Sequence, residues 1–188
     1  HPAFRYTGPS RREIGVPTVF NLLGPMANPA PISNMLVGVA MPNMMEAMVG
    51  SLTSRHVTSA WVVHGHGGLD ELAVSGPNIV YELRDGNISR FEIDAADFGI
   101  SHSLLADIRG GDATDNLVIM NDLFAGKTGA VRDIVTFNAG CALFVANHVG
   151  SVADGIDVAR TTIDSGAAAS ILVKVVAVSS AEAERMQV

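Results

Sequence analysis

Residues 58–72 read TSAWVVHGHGGLDEL, and the fold turns on this stretch. Thr58 to His64 is a short apolar run of the kind that forms a buried strand. It runs out into Gly65-His66-Gly67-Gly68 and then into Leu69-Asp70-Glu71-Leu72. Upstream, Met35-Leu36-Val37-Gly38-Val39-Ala40 reads as another buried strand. Between the two, Pro42 suits a helix start, and Met44, Met45, Met48, Val49 and Leu52 recur at helical spacing up to Arg55. Such a methionine stripe is core sooner than binding surface. Strand, helix and strand make a βαβ unit, which implies parallel pairing and a right-handed crossover. Open α/β sheets bind ligands beyond the carboxyl ends of their strands, so the glycine-rich stretch and its acids stand where chemistry is expected.

Further along, Ile79–Arg84 and Ile88–Ile93 flank Asp85-Gly86, a two-residue turn signal, and are expected to form an antiparallel hairpin. From Ser103 onward the pattern is helical. Helices are predicted at Ala113–Phe124, Ala130–Asn147, Val152–Asp164 and Ala167–Ala177, with Gly110, Gly126, Gly129, Gly150 and Gly166 as punctuation. Val173, Val175 and Val176 fit a terminal strand equally well. Toward the start, Pro2, Pro9, Pro17, Pro25, Pro29 and Pro31 limit the chain to a short helix around Arg5–Ile14, followed by turns and extended segments. The whole reads as one α/β domain over residues 1–188, its sheet mixed and largely parallel and flanked by helices.

Composition narrows the function. A 48% hydrophobic and 16% charged chain with a mean hydropathy of +0.31 carries apolar surface suited to an interface. No apolar run approaches the ~20 residues of a membrane-spanning helix. The start, His1-Pro2-Ala3-Phe4-Arg5, has neither an initiator Met nor a signal-peptide h-region, and is expected to be the interior of a longer protein. The net charge of −7, with no basic cluster beyond Arg11-Arg12, argues against nucleic acid and anionic membranes as partners. A lone cysteine, Cys141, excludes an intramolecular disulfide; its apolar neighbours make it a core residue and the reducing cytoplasm the expected compartment.

Two constellations carry chemistry. Mg²⁺ takes one or two carboxylates and completes its shell with water and phosphate oxygens, and the adjacent pair Asp70-Glu71 fits that demand. The same acids also fit a helix N-terminus, where they would offset the positive end of the dipole while Leu69 and Leu72 pack inward; spacing alone leaves both readings open. The second constellation is His1 with Arg11 and Arg12, followed by Gly24-Pro25. A guanidinium grips a carboxylate in two-pronged fashion, but Arg11-Arg12 also fits a solvated pair bonded to Glu13. Gly126-Lys127-Thr128 resembles a P-loop tail without its leading glycine and reads as a turn between helices. Arg109-Gly110-Gly111-Asp112 reads as an N-cap by Asp112, with an anion-accepting turn as the alternative. His64 and His66 lack a third ligand at metal-like spacing and read as strand-end or loop groups.

Taken in order, His1-Pro2-Ala3, RREIGVPTVFNLLGPMANPA (11–30), VVHGHGGLDEL (62–72), RGGDA (109–113), VRDIVTFNA (131–139) and IDSGAAA (163–169) resemble the anthranilate phosphoribosyltransferase family along nearly the whole chain. The resemblance implies a domain of the nucleoside phosphorylase/phosphoribosyltransferase C-terminal type, taken from a longer two-domain enzyme. It implies transfer of a phosphoribosyl group from 5-phosphoribosyl 1-diphosphate to the anthranilate amine in tryptophan biosynthesis, with release of diphosphate. By the same resemblance Asp70 and Glu71 match magnesium ligands, and Arg11 matches the group that holds the anthranilate carboxylate. His1, Phe4 and Pro25 match positions lining the anthranilate site; no residue is matched to a general acid or base. A homodimer is implied for the full-length protein. The family's Gly-Thr-Gly-Gly-Asp diphosphate loop is absent from this sequence, so the chain alone is expected to be inactive. Gly8, Ser10 and Gly67 also depart from the family pattern. A pyrimidine nucleoside phosphorylase-like enzyme and a non-catalytic nucleic-acid-binding relative are the alternatives.

Overall fold

The computed structural model describes residues 6, 8, 13–15, 24, 26, 30–55 and 57–185. Strand β1 (Asn34–Gly38) leads through a single turn at Pro42–Met44 into helix α1 (Met45–Thr53), and β2 (Ser59–His64) comes next. β1 and β2 pair in parallel, Asn34 opposite Ser59 and Gly38 opposite Val63, which is the expected βαβ unit. β3 (Asn78–Arg84) and β4 (Asn87–Ile93) form the expected hairpin. Asp85 and Gly86 between them have φ of 50° and 83°, the left-handed pair that a tight two-residue turn with native twist requires.

The sheet has the order β1-β2-β3-β4. It is mixed, as expected, but its parallel share is smaller than expected: among the described strands only β1–β2 is parallel, while β2–β3 and β3–β4 are antiparallel. The reason lies after β2. A return to a parallel neighbour needs a crossover, usually a helix, and residues 65–77 hold nothing longer than the His66–Gly68 turn. The chain therefore re-enters the sheet where it left, with Ile79 opposite His64.

Alternation along β2 builds two cores. Ala60 and Val62 face α1, joining Val37, Met45, Met48, Val49, Leu52 and Leu83, so the methionine stripe is core. Trp61 and Val63 face the opposite side, with Val80, Phe137, Cys141, Val145 and Ile156. That second layer is built by α3 (Ala130–Val145) and α4 (Val152–Asp164), while α2 (Ala113–Phe124) packs on those two helices. Trp61 makes edge contacts with Phe91 and Phe144 at centroid distances of 5.3 and 5.6 Å, and its Nε1–H donates to Glu82 Oε1 at 3.0 Å. Burial pushes the Cys141 thiol up to about 12, which leaves it an unreactive core group. Asp112 caps α2 by accepting from the amides of Thr114 and Asp115, as its sequence context suggested.

The last helix, α5, spans Ala167–Arg185. It is helical throughout, so the alternative of a terminal strand does not hold, and it runs on past Ala177 through the helix-favouring Ala181-Glu182-Ala183-Glu184-Arg185. No single described helix is long and apolar enough to cross a membrane; one bent pair, α4 with α5 at 69°, passes by length and composition only. At the start of the chain Tyr6, Gly8, Glu13 and Ile14 are helical as expected, and Gly24 and Met26 are helical where turns were expected.

Candidate active site

The carboxyl ends of β1 and β2 lie side by side and are tied just beyond the sheet. The Val39 amide donates to Val63 O at 2.9 Å, and His64 Nδ1–H donates back to Val39 O at 2.8 Å. This confirms His64 as a strand-end structural group. The chain then turns through His66–Gly68, with Gly67 at φ 76°, and the Gly65 amide closes the turn on Leu69 O at 2.9 Å. Beyond that turn the backbone crosses the strand ends. A Cβ on Gly38, the last residue of β1, would overlap the Asp70 carbonyl, and one on Gly65 would overlap that of Glu71. The two glycines let the acidic loop lie directly against the sheet's edge.

Two asparagines fix that loop. Asn78 is fully buried at the start of β3; its Oδ1 accepts from the amides of Ala73 (2.6 Å) and His66 (3.2 Å). Its Nδ2 reaches the carbonyls of Ala73, Ile93 and Gly76 at 3.0–3.2 Å. Asn138, on α3, grips Leu72 from both sides: the Leu72 amide donates to Oδ1 at 2.9 Å and Nδ2 donates to Leu72 O at 2.7 Å. Leu72, Ala73 and Val74 are buried, so the residues just after the acids are anchored by packing as well as by hydrogen bonds.

Asp70 and Glu71 themselves are exposed and sit in bends. No described helix begins there, so the helix N-terminus account of this pair falls, although its other half holds in that Leu72 is fully buried and Leu69 packs against the core. Partial burial and then the neighbouring charge of Asp70 raise the Glu71 carboxyl above its ordinary value of 4.5. Two like charges on adjacent residues thus face solvent at the strand ends with no cation in hydrogen-bond contact among the described residues. His66 is exposed and its Nδ1 lies 2.9 Å from Ser75 Oγ, a loop bond. Nearby, Asp94 accepts from His102 Nε2 at 2.7 Å and from the Ala96 amide at 2.9 Å. Burial works to raise the Asp94 carboxyl, but these bonds and the histidine charges outweigh it, and the net shift is downward.

Of the residues that the resemblance assigns to the site, the structure describes Asp70 and Glu71. His1, Phe4, Arg11 and Pro25 lie outside the described residues, so their distance to the acids is not defined. Sequence reasoning missed Asn78 and saw Asn138 only as part of a structural motif. The one available signal was an asparagine in the middle of an apolar helix, where a short amide side chain is costly unless its backbone partners are nearby.

Residues 1–169 match the family model described as the glycosyl transferase family, a/b domain. The chain belongs to that family. Within it, the chain is 43% identical over 181 residues to an anthranilate phosphoribosyltransferase of a Roseiflexus species, covering 95% of this chain and 53% of that protein. It is 42% identical over 182 residues to the Rhizobium rhizogenes enzyme of the same name, covering 97% and 54%. The chain therefore spans about half the length of the curated relatives it matches. Among solved structures, the anthranilate phosphoribosyltransferase of Thermus thermophilus superposes with a TM-score of 0.85 at 34% identity, over 94% of this chain and 52% of that one. The Saccharomyces cerevisiae enzyme bound to PRPP and Mg shares the fold, with a TM-score of 0.79 at 22% identity over 88% of this chain and 48% of that one. These likenesses bear out the resemblance read from the sequence and the glycosyl transferase α/β fold.

Proposed function

We propose that the intact protein containing this chain is a magnesium-dependent anthranilate phosphoribosyltransferase of tryptophan biosynthesis. The observation that carries this reading is the pair Asp70-Glu71 held over the carboxyl ends of β1 and β2 by Asn78 and Asn138. The identities of 41–43% to proteins of that name support it.

The donor set fits Mg²⁺. Two adjacent carboxylates, one of them raised first by partial burial and then by its neighbour's charge, form a site that a hard dication would neutralise. Among the described residues no group of three or more histidine, cysteine and acidic side chains gathers, so the remaining positions would fall to water and substrate oxygens, which is how Mg²⁺ is usually held. When bound, the cation supplies charge stabilisation for a departing diphosphate. The chain's own part is to hold Asp70 and Glu71 on a backbone that does not yield as charge builds. Arg11 is assigned the anthranilate carboxylate, and His1, Phe4 and Pro25 the walls of its site. Their contribution is orientation, which brings the amine and the sugar carbon together without a dedicated acid or base. A cytoplasmic homodimer is part of the same proposal.

The test is product chromatography of the intact protein given anthranilate, 5-phosphoribosyl 1-diphosphate and Mg²⁺. The expected result is Mg²⁺-dependent formation of N-(5-phosphoribosyl)anthranilate. Turnover of a pyrimidine nucleoside with phosphate instead, or no product at all, would refute the assignment.

A further inference from the structure

Residues 94–108, which the proposed chemistry leaves unused, run from the end of β4 back to the glycine turn that precedes the acids. We propose that this segment braces the acidic loop: Leu105 holds the glycine turn, and His102 holds the segment that carries Leu105. Both are then positioning residues for Asp70 and Glu71, on the transferase reading of those acids.

The turn needs support from outside. Gly67 and Gly68 have φ of 76° and 89°, and glycine has more conformational freedom to lose than any other residue. Two bonds close the turn on itself, from the Gly65 amide to Leu69 O at 2.9 Å and from the Gly68 amide to Gly65 O at 3.1 Å. Asn78 reaches the turn at the His66 amide, and Asn138 acts further on, at Leu72. Gly67 is met by a different group. A Cβ there would overlap Leu105 Cδ1, and the three atoms nearest to it all belong to the Leu105 side chain.

Leu105 is set in place by three ties. The Ser103 amide donates to Val74 O at 3.0 Å, which joins the segment to the buried end of the acidic loop. His102 Nε2–H donates to Asp94 Oδ1 at 2.7 Å, closing the segment on the end of β4, where the same oxygen accepts from the Ala96 amide at 2.9 Å. Leu105 also opens the short turn Leu105–Ile108, in which the Leu104 amide donates to Asp107 Oδ2 at 3.1 Å and Ile108 packs against the core. Leu105 itself stays 39% exposed, so its own burial gains little; what it contacts is the turn. Asp70 and Glu71 follow just beyond. A turn free to swing lets the two carboxylates part, which weakens a cation site without touching the walls of the anthranilate site.

Backbone amide hydrogen exchange, read by NMR on the intact protein without Mg²⁺, tests the brace. In Leu105→Ala the Gly65 and Gly68 amides are expected to exchange about tenfold faster, while the Leu72 amide, held by Asn138, keeps its rate. His102→Ala is expected to speed the same two amides about threefold, the scale of a half-exposed ion pair. His102→Gln, whose amide can still donate to Asp94, is expected to restore them. In transferase assays Leu105→Ala should raise the Mg²⁺ concentration for half-maximal rate about tenfold with KM for anthranilate unchanged, a split that loss of folded protein does not produce. Unchanged exchange at Gly65 and Gly68, faster exchange throughout the chain, no restoration by His102→Gln, or an unshifted Mg²⁺ requirement would overturn the proposal. An intact protein without Mg²⁺-dependent transfer would refute the transferase reading instead, and the exchange rates would still decide whether Leu105 and His102 hold the loop.

Discussion

The strand-tip loop at residues 65–78 and the terminal helix α5 are held in opposite ways. The loop has almost no regular structure, yet its amides and carbonyls find partners in Asn78, Asn138 and each other, and Leu72, Ala73 and Val74 are buried beneath it. Helix α5 is regular for 19 residues, yet it buries none of its side chains: Val173 is 70% and Val178 65% exposed. The family match stops at residue 169, inside its first turn. Regularity is therefore not fixity. A helix satisfies its backbone internally and can stand without neighbours, whereas an irregular loop persists only if other parts of the molecule complete its hydrogen bonds. A site that must hold two like charges in place needs the second kind of support.

The contrast is most vulnerable at Asn78. Asn78→Ala removes the side-chain partner of two amides and three carbonyls, all of them in buried bonds except that of the half-buried His66 amide. At about 1–3 kcal/mol for each buried orphan that water cannot reach, the loss should exceed about 3 kcal/mol, a large share of a typical domain's stability. A urea unfolding midpoint measures it; a loss under about 1 kcal/mol would mean that the loop is not held from Asn78.

Next in size is Gly38→Ala, whose new Cβ would overlap the Asp70 carbonyl, a backbone atom that cannot swing aside. A cost of about 1–3 kcal/mol is expected, together with a drop in transferase turnover larger than the unfolded fraction explains. Unchanged activity would show that the acids need not lie against the end of β1. The smallest effect belongs to the other region. Val175→Ala on α5, at a position 56% exposed, should change stability by no more than about 0.5 kcal/mol. A loss above about 1 kcal/mol by thermal denaturation would show that α5 is packed and that the two regions do not differ in this way.

Much of the fold was legible because its signals are local. The βαβ unit, the Asp85-Gly86 hairpin and the spans of α2 and α4 come from periodicity and turn chemistry over a dozen residues or fewer. The direction of β3 was not legible, since pairing depends on how residues 65–77 return, and nothing in β3 itself distinguishes a parallel from an antiparallel neighbour. At the site, the acids were visible but their setting was not. Leu72 and Asn138 are 66 positions apart, and the close approaches at Gly38 and Gly65 read in the sequence only as small residues near strand ends. The α5 valines stayed ambiguous because they have no burial pattern to fit: exposed on all sides, they satisfy neither a strand's alternation nor a helix's stripe.

On this reading the loop presents Asp70 and Glu71 as a cation site whose geometry the rest of the domain maintains. The sharpest check is Asp70→Asn and Glu71→Gln in the intact protein, assayed for Mg²⁺-dependent transfer to anthranilate alongside thermal unfolding. Losses in kcat/KM of about a hundredfold or more, with Tm unchanged, are expected, because the exposed carboxylates contribute charge to the reaction and little to packing. Full turnover in either variant, or a loss that merely tracks a fallen Tm, would show that the two acids do not form that site.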